Sequence, residues 1–127
     1  MHRPWRVALA AAVLSVACKT DEPIEHPVAA DIQKISDRSC ATSSCHDGTA
    51  EPDLRGDVHG AMVDVVAEDV ELPLVDPGNR GTSYLWAKLV GTQKDVGGEG
   101  AKMPLTGVLT DAERETIGNW IDDGAPP

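Results

Sequence analysis

The sequence predicts a small, mainly α-helical domain of three to four short helices joined by long loops. Three observations predict it. A capped amphipathic helix closes the chain. An apolar stripe at helical spacing leads from residue 28 towards residue 40. The stretches between are rich in Gly, Pro and Asp and show little strand alternation. The 127 residues suffice for one domain.

The chain opens with Arg3 and Arg6, followed by the apolar and small run Val7 to Ala17. A basic end before an apolar stretch too short to span a bilayer comfortably is the plan of an export signal, here residues 1–17. A buried core helix is the competing reading. The run ends on Cys18, and "LSVAC" resembles the lipobox of bacterial lipoproteins, with Leu14 one place earlier than the usual leucine. That resemblance implies cleavage before Cys18 and lipidation of its thiol, and so a membrane contact through the acyl chains. Plain secretion is the alternative. Residues 18–27, polar and containing Pro23 and Pro27, read as a tether with a solvated His26. The domain proper is expected over 28–127.

Removing the two arginines of residues 1–17 from a chain of formal charge −10 leaves −12. Such a surface lacks the basic patch that nucleic acid needs. It favours a basic partner, or else serves only solubility. The core is poor in aromatics, with no Phe and with Tyr84, Trp86 and Trp120 beyond the signal. Small domains of this kind often rely on a disulfide, a metal or a cofactor.

Val28, Ile32 and Ile35 lie at i, i+4 and i+7, which predicts a helix running into Cys40. Residues 47–60 read as loop, and "AMVDVVA" (61–67) is too short for periodicity to choose helix or strand. "DPGN" is a turn signal. "SYLWAKLV" (83–90) predicts a helix with Ser83 as N-cap and Leu85, Trp86 and Leu89 on one face. Residues 91–108 are glycine-rich and irregular. "TDAERETIGNWIDDG" predicts the last helix: Thr110 and Glu113 form a capping box, Ile117, Trp120 and Ile121 the stripe, and Gly124 the stop.

The chemistry concentrates in "DRSCATSSCHDG". Cys40 and Cys45 are followed at once by His46, with four residues between the cysteines where the c-type haem signature has two. Three chemistries are open. The thiols could hold haem c covalently, with His46 as proximal iron ligand. They could form a Cys40–Cys45 disulfide, as exported proteins often do. Or Cys40, Cys45 and His46 could hold zinc, with His59 as a fourth ligand. A haem would need a ligand on its other face. Met103, in an irregular loop before Pro104, is the candidate, and its soft neutral sulfur would raise the potential. His59 is the substitute. Met62, in an apolar run, reads as core. The acids at 64, 68, 69 and 71 lack calcium-site spacing and read as a solvated face.

"SCATSSCH", "DPGNRGTSYL", "KMPL" and "WIDDGA", in that order, resemble the small cytochrome c-like domains of exported bacterial proteins of planctomycete and myxobacterial type. The resemblance covers about residues 28–127. It implies a cytochrome c-like fold with the terminal helices packed together, one haem held by Cys40 and Cys45, and His46 and Met103 as the axial iron ligands. Trp120 and Ile121 would pack the last helix against the first and against the haem edge. It implies an electron carrier rather than an enzyme, since iron with both axial positions filled has no open site for substrate. Its partner would be another redox protein. The four-residue gap departs from the usual spacing, and the haem-free alternative is a lipoprotein of the same fold with a Cys40–Cys45 disulfide, acting in binding or structure.

Overall fold

The computed structural model describes residues 21–106 and 108–127, and over them the chain is mainly helical. Four α-helices occur in the order α1 (Ala29–Ser39), α2 (Val58–Met62), α3 (Tyr84–Val90) and α4 (Asp111–Asp122), with 3-10 turns at Arg80–Thr82 and Gln93–Val96. Among the described residues, pairing between extended segments is limited to the isolated bridges Val63–Val75 and Val66–Pro73. No helix of the described residues is long and apolar enough to cross a membrane. The expected signal at 1–17 and the expected lipid site, Cys18, lie outside the described residues.

α1 and α4 form the frame. α4 begins as its sequence dictates: Glu113 N donates to Thr110 Oγ1 (3.1 Å) and Thr110 N to Glu113 Oε2 (3.0 Å). This satisfies two of the amides that a helix start leaves unpaired. It ends at Gly124, whose φ of +93° suits a residue without a Cβ. The N–H of Ala125 then closes the last turn on Trp120 O at 2.8 Å. The chain folds back so that Pro126 O accepts from both Trp120 Nε1 (2.9 Å) and Ala29 N (3.1 Å). Trp120 and Ile121 are fully buried in one cluster with Ile32, Ile35 and Ile117. Arg38 pairs with Glu113 across the two helices.

Four local expectations need correction. Val28 is not in the buried stripe: α1 starts at Ala29, so Val28 stands outside the first turn and is exposed, its N–H donating to Asp31 Oδ2 (3.2 Å). The expected 47–60 loop ends early, because Asp57 accepts from Gly60 N (2.8 Å) and so caps α2. Ser83 precedes α3 but does not cap it with its side chain. The turn captures that hydroxyl instead, which accepts from Asp76 N (2.8 Å) and donates to Asn79 O (2.9 Å). The amides of Tyr84 and Leu85 are met by Pro73 O and Leu74 O, both at 2.9 Å. Last, part of the expected tether is docked. Ile24 N donates to Thr116 Oγ1 (2.9 Å), Asn119 Nδ2 donates to Ile24 O (2.9 Å), and Pro27 is buried. His26 stays in solvent but pairs with Asp123 at 2.9 Å.

Arg80 staples the "DPGN" turn to α4. Its guanidinium donates to Asp122 Oδ2 (2.6 Å), Glu115 Oε2 (3.0 Å) and Asn119 Oδ1 (3.1 Å), and lies 4.6 Å from the Trp86 ring centroid. The turn itself places Gly78 at φ +90°, the position after Pro77 that a type II turn reserves for glycine.

Candidate functional site

The last residues of α1 lead into a tight loop. Cys40 N and Ala41 N both donate to Ser36 O at 2.8 Å, closing the helix. The chain then turns on Cys45 N to Thr42 O (3.0 Å) and returns, with His46 N donating to Cys40 O (3.1 Å). The four residues between the cysteines are thus taken up by one small turn, and the sequence brings Cys40 and His46 backbones into direct contact. His46 is fixed from a second side, because Leu54 N donates to His46 O (2.9 Å).

The imidazole has its own partner. His46 Nδ1 lies 3.0 Å from Pro52 O. A carbonyl only accepts, so Nδ1 carries a proton, and in the neutral ring that leaves the lone pair for ligation on Nε2. Metal-ligating histidines are held this way, since the bond fixes both tautomer and ring orientation. Leu54, two residues on from Pro52, is in turn held from α1. Gln33 Nε2 donates to Leu54 O (2.8 Å) and Gln33 Oε1 accepts from Val58 N (2.9 Å).

Beside this loop lies a cavity of about 620 Å³, a size typical of ligand sites. Cys40, Cys45 and His46 line it, and so does Met103, brought from far along the chain. Met103 is placed by α3, as its N–H donates to Lys88 O at 2.9 Å. The wall between is mostly aliphatic: Leu54, Ala61, Met62, Leu74, Leu85 and Leu89. Leu54, Met62 and Leu89 belong to the α1–α4 core as well, so the cavity is one edge of that core. Met62 is therefore both core, as expected, and wall. No α4 residue lines the cavity. This corrects the expected contact of Trp120 and Ile121 with the haem edge: both are spent on packing α4 against α1.

Both thiols are free. Burial pushes the Cys40 thiol up, and the neighbouring Cys45 adds to this, so Cys40 remains a neutral thiol at ordinary pH. His59 is not brought to them. It sits in a separate groove with Gln33 and Asp57, its ring edge-on to Trp120 at a centroid distance of 6.4 Å. The substitute ligand and the fourth zinc ligand are thereby removed from the site. Among the described residues no group of three or more His, Cys, Asp or Glu side chains converges as a metal set.

Sequence reasoning missed three contributors: Pro52, Gln33 and Lys88. Two of them act through backbone carbonyls, which carry no residue signature. Gln33 reads as one more polar residue on a helix. No family model, curated protein or solved structure matches the chain, so the residues themselves carry the functional argument.

Proposed function

We propose that this protein is a monohaem c-type cytochrome with a cytochrome c-like fold, carrying electrons outside the cytoplasm. It would be held at a membrane by a lipid on Cys18, or secreted. One observation supports this above the others: two motifs distant in sequence supply Cys40, Cys45, His46 and Met103 to the wall of a single aliphatic cavity. The donor set fits haem. Two thiols suit covalent attachment, His46 presents one free ring nitrogen, and Met103 offers a soft thioether from another segment. Bound there, haem would supply a one-electron iron couple. The chain's own part is to hold and to tune. Cys40 and Cys45 would fix the macrocycle, and Pro52 O would keep His46 in one tautomer. Met103 would favour the reduced iron, and the aliphatic wall would exclude water. On this reading the protein has no substrate of its own, and its partner is another redox protein.

The test is direct. The full chain is expressed with its signal in a host that has periplasmic haem-attachment machinery, and its visible spectrum and mass are recorded. A coloured protein carrying one covalent haem is expected. Met103→Ala should then lower the potential and abolish the sulfur-to-iron absorption band, with His59 unable to substitute. A colourless protein without free thiols would overturn the proposal in favour of the haem-free lipoprotein with a Cys40–Cys45 disulfide.

A further inference from the structure

We infer that the cavity mouth is a docking face for a redox protein with a basic rim around an apolar patch. What is exchanged there rests on the haem reading; where the partner sits does not. Val65, Val66 and Leu105 line the cavity yet are 38%, 66% and 63% exposed. A single exposed valine carries no message, but three large aliphatic side chains around one opening form a patch that solvent alone does not favour.

The rim gives the patch a sign. Glu51, Glu68 and Asp69 line the same opening and are exposed. None of them is in an ion pair among the described residues. Among the described residues, Lys94 and Lys102 do not line the opening, and the arginines are paired elsewhere. Arg38, Arg55, Arg80 and Arg114 each pair with a carboxylate, and none lines the mouth. Lys88 is the one lysine or arginine there among the described residues, and its ammonium donates to Glu99 O (3.1 Å).

An aliphatic patch inside a rim of three carboxylates and one ammonium, acidic in sum, selects among occupants. An anionic bilayer surface would be repelled, and so would the same face of a second copy. A cationic protein is attracted over a distance and then buries the patch. The mouth is also free of residues 21–27, the described part of the segment before α1. Residues 21–27 dock along α4 through Ile24 and His26, and neither they nor α4 line the cavity. A haem held by Cys40, Cys45, His46 and Met103 would supply the one-electron couple exchanged with the partner's redox centre. One centre is oxidised as the other is reduced, and no bond or proton moves.

Two measurements test this. In the first, the purified full chain is titrated with hexaamminechromium(III), a paramagnetic cation inert to exchange, and amide broadening is mapped by NMR. Broadening concentrated at residues 65–69 and around 105, and removed by salt, is expected. Strongest broadening at 21–25 or along α4 overturns the inference. This reading does not need colour, so it separates a failed docking face from a failed haem assignment. In the second, the coloured protein is oxidised by tris(phenanthroline)cobalt(III) and by hexacyanoferrate(III). Replacing two of the three rim acids (Glu68→Lys with Asp69→Lys) should lower the ratio of the cationic to the anionic rate at least about tenfold, with an unchanged visible spectrum. An unchanged ratio, or self-association that closes the mouth, overturns it.

Discussion

The two walls of the cavity are held in different ways. The Cys-His wall, residues 40–54, is bound to itself and to α1. His46 alone is held through its N–H, its carbonyl and its ring, and Gln33 clamps the far end at Leu54. The Met wall, residues 103–106, has one hydrogen bond among the described residues, from Met103 N to Lys88 O. Its next apolar side chain, Leu105, faces solvent rather than the core. Segments with few buried contacts and few bonds open first. A ligand pair built this way would have a fixed member, His46, and an exchangeable one, Met103.

The strongest way to break the comparison is to weaken the two walls equally. Leu54 is buried and serves both core and cavity. Leu54→Ala should cost about 2–5 kcal/mol, the usual range for emptying a buried leucine site. Leu105→Ala, at an exposed position, should stay within about 0.5 kcal/mol. Denaturant unfolding of both variants measures the contrast. Similar losses would mean that the Met wall is packed in solution, and the distinction between fixed and exchangeable ligand would go.

A smaller effect sharpens the contrast by acting on the Met side. Gly98 packs directly against Tyr84, and a Cβ there would overlap the phenol ring and its oxygen. Tyr84 lines the cavity, and the segment after Gly98 leads to Met103. Gly98→Ala should cost about 1–3 kcal/mol by overpacking. In a coloured protein it should weaken the sulfur-to-iron band while leaving the haem attached. Gly97→Ala is the control: its φ is +85° but nothing lies within 4 Å, so it reports the backbone cost alone. If the two variants behaved alike, packing on Tyr84 would not be what positions the loop.

The same contrast explains what was legible in the sequence. α4 was readable because its signals are local: Thr110, Glu113 and Gly124 act on amides and carbonyls within a turn of themselves. α1 was readable from Ile32 and Ile35, but its first turn was not. An apolar Val28 fits the stripe whether or not the helix has begun. Ser83 misled in the other direction, since a serine before a helix suits a cap and here the "DPGN" turn takes the hydroxyl. At the site, thiol, imidazole and thioether announce themselves by chemistry. What holds them does not. Pro52 and Lys88 contribute carbonyl oxygens, which any residue has, and Gln33 acts across a fold that periodicity does not describe. The exposed aliphatics at 65 and 66 were similarly hidden, because an apolar run reads as buried until something is seen to leave it uncovered.

The smallest effect concerns acid. Two carboxylates of the Cys-His wall sit below their ordinary range, while residues 103–106 carry no titratable side chain. Asp53 is held at about 2 by hydrogen bonds from the Arg55 guanidinium and amide, and Asp47 is lowered chiefly by its hydrogen bond with Thr49. A carboxylate whose folded value lies below its unfolded one binds fewer protons when folded. Its contribution is therefore complete above the ordinary value of 3.8 and fades as pH falls towards 2. Both groups face solvent, so the effect is screened and modest. Thermal unfolding of the wild-type chain and of Asp53→Asn, followed from pH 5 to pH 2, measures it. The variant should melt lower at pH 5, and the two curves should converge as Asp53 protonates. A gap that widens on acidification would mean that Asp53 is not stabilised by Arg55 in the folded chain. The Cys-His wall would then lose one of the ties that set it apart from the Met wall.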